Sequence, residues 1–233
     1  MSALLTVASY NIHKAVGADG RRMPERILDV LDEMEADVAV LQEADTRFGV
    51  RTAVLPDAML AARGWEVAGL AEHPAAMGWH GNAVMVRGHA RLERAVRLPL
   101  PALEPRGAVL ADVESGGKLL RLVGAHLDLS GLWRARQVRA VMEAVARQPG
   151  SPPELVMGDF NEWRAGGEAM RTLGERLRAV VLGPSFPARL PMGRLDRVFV
   201  NPAAHVHEAG VHMSALSRVA SDHLPVWVRV GHG

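Results

Sequence analysis

The chain has 233 residues, 48% hydrophobic and 23% charged, enough for one well-cored domain over residues 1–233. It contains no cysteine, which excludes disulfide staples, thiolate metal sites and cysteine nucleophiles, and its formal charge of +1 provides no global field toward nucleic acid. No apolar run reaches the roughly 20 residues of a membrane span, and the first ten residues lack the features of a secretory signal, so the expectation is a cytoplasmic protein without membrane insertion or an obligate protein partner.

Residues 4–9 read as a buried strand. Pro24 suits the first turn of a helix whose apolar face is Ile27, Leu28, Leu31 and Met34. Residues 37–42 form a second apolar run, closed by Glu43, so the order is strand, helix, parallel strand. Residues 82–87, 107–114 and 118–127 read as strands, the last two joined as a hairpin across Ser115-Gly116-Gly117. Leu132, Ala135, Val138, Met142 and Val145 predict one side of a helix over 131–147. A buried strand over 155–158 runs into Asp159, and strands over 195–200, 206–212 and 224–230 close the chain. No linker, charge block or repeat marks a boundary. Helices mixed with mainly extended segments fit an α/β fold of two packed sheets with helices on their outer faces.

Polar residues recur where apolar strands end: Asn11, Glu43, His126, Asp159, Asn161 and Asp222. In Gly158-Asp159-Phe160-Asn161 the glycine allows a sharp turn, and alternation sends Asp159 and Asn161 to one side, where they could hold a water and a phosphate oxygen. An ordinary Asp/Asn turn is the competing account. In Ser221-Asp222-His223 a carboxylate beside an imidazole could divide labour between metal and phosphate, or simply form a turn. Glu43 needs solvent, an arginine or a hard cation. His126 alone reads as a satisfied structural residue, and Asp196 as either an orienter of a histidine or a partner of an arginine.

Taken together, Ser9-Tyr10-Asn11-Ile12, Leu41-Gln42-Glu43, Ala125-His126-Leu127, Gly158-Asp159-Phe160-Asn161, Leu195-Asp196-Arg197 and Ser221-Asp222-His223-Leu224-Pro225 resemble, in order and spacing, the motifs of the endonuclease/exonuclease/phosphatase superfamily. The resemblance spans residues 6–230 and implies a four-layer sandwich of two mainly antiparallel mixed β-sheets flanked by helices, with the active site at one edge of the paired sheets. It implies that Glu43, Asn11 and Asp222 serve Mg²⁺, with Mn²⁺ as a substitute. Asp159 would position or deprotonate the attacking water, and Asn161 would hold that water and a phosphate oxygen. His223 would act on the phosphate with Asp196 fixing its orientation, and His126 joins this catalytic group.

His126 resembles the nuclease, sphingomyelinase, phosphatase and deadenylase branches more than the abasic-site repair branch. Arg106, within Glu104-Pro105-Arg106-Gly107-Ala108, is a candidate phosphate clamp, and Asn82 and Lys14 are further candidates for substrate binding. Each has a plain alternative as a surface or loop residue. The arginine excess has one too, because Lys14 and Lys118 are the only lysines and codon bias produces the same picture. Trp163 and Trp133 could cover a base or an acyl chain, with packing as the plainer reading. The expected activity is hydrolysis of a phosphodiester in nucleic acid or phospholipid, with a small or inositol-type phosphomonoester as the alternative. A noncatalytic phosphate-binding module is the rival from another class.

Overall fold

The computed structural model describes residues 4–47, 49–101 and 106–232. In chain order the first half comprises β1 (Leu5–Asn11), α1 (Pro24–Glu33), β2 (Val38–Gln42), α2 (Asp57–Ala62), β3 (Glu66–Val67), β4 (Ala83–Val86), β5 (Arg91–Pro99) and β6 (Gly107–Ser115). The second half comprises β7 (Lys118–His126), α3 (Gly131–Ala146), β8 (Glu154–Asp159), α4 (Glu168–Gly174), β9 (Arg178–Ala179), β10 (Asp196–Val200), β11 (Ala204–Val211), α5 (Ser217–Ala220) and β12 (Val226–His232).

The strands form two six-stranded sheets, ordered β11-β12-β1-β2-β4-β3 and β5-β6-β7-β8-β10-β9. Each is antiparallel apart from one central parallel pair, β1 with β2 and β7 with β8. Val7, Val40, Val84, Val109, Leu122, Met157, Val198 and Val228 fill the space between the sheets. On one outer face Ile27, Leu28 and Leu31 of α1 pack on Ala8, Tyr10 and Leu41. On the other, Val138, Val141 and Val145 of α3 and Leu173 of α4 pack on Val123, Val156 and Phe199. Two half-apolar sheets and two amphipathic helix layers thus bury each other's faces, giving the four-layer sandwich. Among the described residues, no helix is long and apolar enough to cross a membrane.

Two expectations need correction. Leu132 does not belong to the buried side of α3 and is 60% exposed. Arg134 and Gln137 are buried in that helix instead, because Arg134 pairs with Glu162 and Gln137 accepts the backbone N–H of Asp128. β5 also escaped the reading, since Arg91, Glu93 and Arg97 break up its apolar pattern on an edge strand.

Candidate active site

The two-residue period of the strands builds the site. Leu5 and Val7 precede Asn11 in β1, and Val38 and Val40 precede Gln42 in β2, all on the face turned toward the other sheet. Leu120 and Leu122 likewise lead to His126 in β7, and Leu155 and Met157 to Asp159 in β8. β10 runs the opposite way, so Asp196 comes first and Val198 and Val200 follow. Each apolar row therefore ends in a polar side chain at one mouth of the inter-sheet core. Register aligns them: His126 lies opposite Asp159, and Asp159 opposite Asp196. Gly158 makes the close approach possible, with φ +144° and Ala125 O only 1.9 Å from where a Cβ would stand.

Asp159 is the centre of this arrangement. Its Oδ2 accepts Asn11 Nδ2 at 3.0 Å, and its Oδ1 accepts the Asn161 backbone N–H at 2.9 Å. His126 Nε2 and His223 Nε2 stand 3.5 and 3.7 Å from the same Oδ2. Behind His223, Nδ1 meets Asp196 Oδ2 at 2.8 Å, and that oxygen also accepts the Ser185 hydroxyl. Asn161 Nδ2 donates to Leu127 O at 2.9 Å, which fixes the turn after β8. Asp159 and Asp196 are each 1% exposed, and each histidine 5%.

The same burial leaves the two histidines in opposite charge states. Burial drives His126 down to about 3, helped by the positive charges of Arg106 and His223, and Asp159 only partly opposes it. Burial also pulls on His223, but the charge and hydrogen bond of Asp196, with Asp159 and Asp222 behind them, raise it to about 10. A carboxylate flanked by a neutral imidazole and an imidazolium can hold a water, take its proton and face a proton donor.

Around the mouth, Lys14 Nζ pairs with the Glu43 carboxylate and Arg106 contacts His126 Nε2. Ser221 Oγ donates to Asn11 O at 2.8 Å and lies 3.3 Å from Asp222 Oδ1, while His13 Nδ1 is 3.8 Å from that oxygen. His13, Lys14, Glu43 and Asn161 all hold positive φ, a conformation costly for residues with a Cβ and concentrated at this mouth.

The structure thus joins Asn11, His126, Asp159, Asn161, Asp196 and His223 in one contact network. Glu43 and Lys14 form their own pair, and Asp222 lies at the edge with His13. Asp159, Asp196 and His223 each offer a ligand atom within 4.8 Å of the others, a group able to hold a metal ion that contains none of the three expected ligands. Asn82 requires correction as a substrate contact. It is fully buried, and its Nδ2 donates to Gly107 O at 3.0 Å and Trp79 O at 3.3 Å, so it braces the loop before β4. Glu104 and Pro105 lie outside the described residues.

Trp163 is 62% exposed rather than packed into the core, and meets Phe186 edge-on at 6.1 Å; Phe186 in turn lies 4.7 Å from the His223 ring. Ser185 and Phe186 were missed in the sequence because they sit in a segment without periodicity, where an aromatic before Pro187 was the single available cue.

Residues 8–223 match the Endonuclease/Exonuclease/phosphatase family. The uncharacterized protein YbhP of Escherichia coli K12 is 28% identical over 94% of this chain and 93% of its own length. An endonuclease/exonuclease/phosphatase family protein of Bacteroides thetaiotaomicron superposes with a TM-score of 0.79 at 20% identity, covering 100% of this chain and 99% of that one. The mannosyl-6-phosphatase Bt3783 of Bacteroides thetaiotaomicron VPI-5482 gives 0.75 at 20% identity over 97% and 99%.

Proposed function

We propose, from the premise that this chain belongs to the endonuclease/exonuclease/phosphatase family, that it is a magnesium-dependent hydrolase cleaving phosphodiesters by direct attack of water. The observation that carries this reading is Asp159 held between His126 and His223, with Asp196 behind the second. Water gives its proton to the Asp159 carboxylate as its oxygen bonds to phosphorus. The bond from phosphorus to the leaving oxygen then breaks, and that oxygen takes a proton from His223 Nε2. Asp196 accepts from Nδ1 and so holds Nε2 toward the reaction, while Asn11 and Asn161 fix Asp159 and the water. Arg106 and Lys14 lie where charge on the phosphate oxygens needs balancing.

The donor set fits a hard cation. In the cluster of Asp159, Asp196 and His223, Asp196 Oδ2 and His223 Nδ1 are already bonded to each other, which suits proton handling better than coordination. Glu43 and Asp222 are oxygen donors with side chains 23% and 38% exposed, which leaves room for the waters Mg²⁺ retains. Glu43 already attracts an ammonium, that of Lys14. Glu43, Asp222 and the Asn11 side chain would therefore hold Mg²⁺, or Mn²⁺ in its place, and a bound ion would neutralise charge on the phosphate.

An exposed rim beside His223, with Trp163 62% and Met192 70% exposed, supports a diester with a bulky leaving group, in nucleic acid or phospholipid. A phosphomonoester is the second reading. It is favoured by the density of positive charge at Lys14 and Arg106, and by the likeness to a mannosyl-6-phosphatase. The deciding experiment is a hydrolysis screen with Mg²⁺ and with Mn²⁺ over single-stranded DNA, duplex DNA, RNA, phospholipids, inositol phosphates and sugar phosphates. Metal-dependent turnover of a diester is the expected result. Turnover of monoesters alone would replace the first reading with the second, and binding without turnover of any substrate would make the chain a phosphate-binding module.

A further inference from the structure

Residues 185–193 form a loop that grips His223 on both flanks. Ala188 N donates to Asp222 O at 2.7 Å on one side, and Leu224 N donates to Ser185 O at 2.8 Å on the other. Between these two bonds the Phe186 ring lies 4.7 Å from the imidazole, centroid to centroid. The loop is itself closed, with Ser185 N donating to Gly193 O and Met192 N to Phe186 O, each at 2.9 Å. Ser185 is fully buried, and both its backbone groups are bonded.

The Ser185 side chain reaches the other partner of the histidine. Its Oγ accepts the Asp196 backbone N–H at 3.4 Å and donates to Asp196 Oδ2, the oxygen that His223 Nδ1 meets at 2.8 Å. Asp196 Oδ1 is buried and has no hydrogen-bond partner among the described residues. The last torsion of an aspartate is broad and two-fold, so the carboxylate is not held by its own rotamer. A turn would break both bonds at Oδ2 together, and the hydroxyl adds to the resistance against it. The orientation of His223 follows. With Nδ1 held by Asp196, Nε2 faces Asp159 Oδ2 at 3.7 Å, beside the place where the leaving oxygen takes its proton. A loose carboxylate would let the ring swing, and proton transfer depends steeply on such geometry.

We propose that Ser185 is a positioning residue for proton transfer from His223: it fixes the Asp196 carboxylate, which fixes the ring. This inference rests on the hydrolase reading above. Its plain rival is a hydroxyl that satisfies a buried carboxylate and closes a loop. The two differ in one respect. A residue that acts through the acid matters most where the leaving oxygen needs a proton, whereas loop packing affects every substrate alike.

The test compares, with Mg²⁺, the p-nitrophenyl and phenyl esters of thymidine 5′-phosphate. p-Nitrophenolate leaves readily as an anion, and phenolate has the greater need of a proton. In Ser185→Ala, kcat for the phenyl ester should fall about tenfold, the scale of a lost hydrogen bond to a charged group. Values of kcat for the p-nitrophenyl ester and of KM for both should stay close to native. Ser185→Cys keeps the shape but is a weak donor, so it should behave like the alanine variant and carries the test if that variant unfolds. Adding Ser185→Ala to His223→Gln should slow neither ester further, because the effect passes through the histidine. Equal slowing of both esters, no slowing, or further slowing in the double variant overturns the proposal. A second readout needs no turnover. The Nδ1 proton of His223 should give a downfield NMR resonance, identified by its loss in His223→Gln, that shifts or broadens in Ser185→Ala. If the native protein turns over neither ester, the hydrolase reading fails and takes the proton-transfer role with it, while the resonance still shows whether Ser185 holds the pair. Turnover with an unchanged ratio between the esters in Ser185→Ala defeats the positioning role alone.

Discussion

The two ends of the β6-β7-β8 ribbon both bury charge, and they do so in opposite ways. At one end Asp112 pairs in register with Arg121, and Arg121 with Glu154. Arg121 donates to both Asp112 oxygens at 2.8 and 3.1 Å, and Arg94 adds bonds at 2.9 and 3.1 Å. Burial alone would raise the Asp112 carboxyl, but these guanidinium groups outweigh it and hold it low. At the other end Asp159 and Asp196 face each other in register, with histidines and no guanidinium bonded to either carboxylate among the described contacts. Matched opposite charges stabilise a fold. Carboxylates set side by side around imidazoles, on strained backbone, give up stability to place reactive groups.

That contrast can be broken by substitutions at the two ends. The largest effect is expected at the mouth. His223→Gln should lower kcat by about 10²–10⁴-fold, the usual weight of a general acid or base, and, because the imidazolium held by Asp196 is itself stabilising, lower the thermal midpoint while the variant still folds. Steady-state kinetics beside a melting curve read both numbers, and a variant that simply unfolds would contradict the assignment. At the far end Asp112→Ala should do the reverse. It strands two guanidinium groups and should cost about 3 kcal/mol by urea unfolding, with kcat close to native.

Asn82→Ala falls between the two ends. It removes the side-chain donor of the Gly107 carbonyl, while Trp79 O keeps the backbone N–H of residue 82, so a loss of about 1–2 kcal/mol is expected. KM should rise more than kcat falls, because the loop it braces lines the cavity of Lys14 and Arg106 rather than Asp159. Equal losses in kcat would place Asn82 nearer the reaction than its burial allows.

The smallest effect concerns acid. The folded Asp112 carboxyl titrates below its ordinary value near 3.8, so its contribution is fully present above that value and is lost as pH falls through the lower folded one. Urea midpoints followed from neutral pH down into that window should fall less steeply in Asp112→Asn than in the native protein. Identical slopes would mean that the ion cluster contributes nothing there.

Much of this was legible in the sequence, for a physical reason. An apolar strand that ends in Asn11, His126 or Asp159 announces both its buried face and its end, and the two-residue period places these side chains on the same inner face. The fold class follows from the same runs. What periodicity does not carry is which loop folds onto which. Asn82 and Arg106 sit side by side with the mouth in the chain pattern, yet Asn82 is buried under it while Arg106 touches His126. Ser185 and Phe186 lie in a loop without any apolar period, and only the folded chain puts them against Asp196 and His223. β5 was hidden because an edge strand half exposed to solvent tolerates Arg91, Glu93 and Arg97.

The most direct measurement compares native protein with Asp159→Asn, a change that keeps shape and removes the carboxylate, in Mg²⁺-dependent hydrolysis of bis(p-nitrophenyl) phosphate. The account predicts turnover that vanishes with EDTA in the native protein, and a variant that melts at or above the native temperature while hydrolysis falls to the background rate. A folded variant that hydrolyses the ester as fast as the native protein would contradict it.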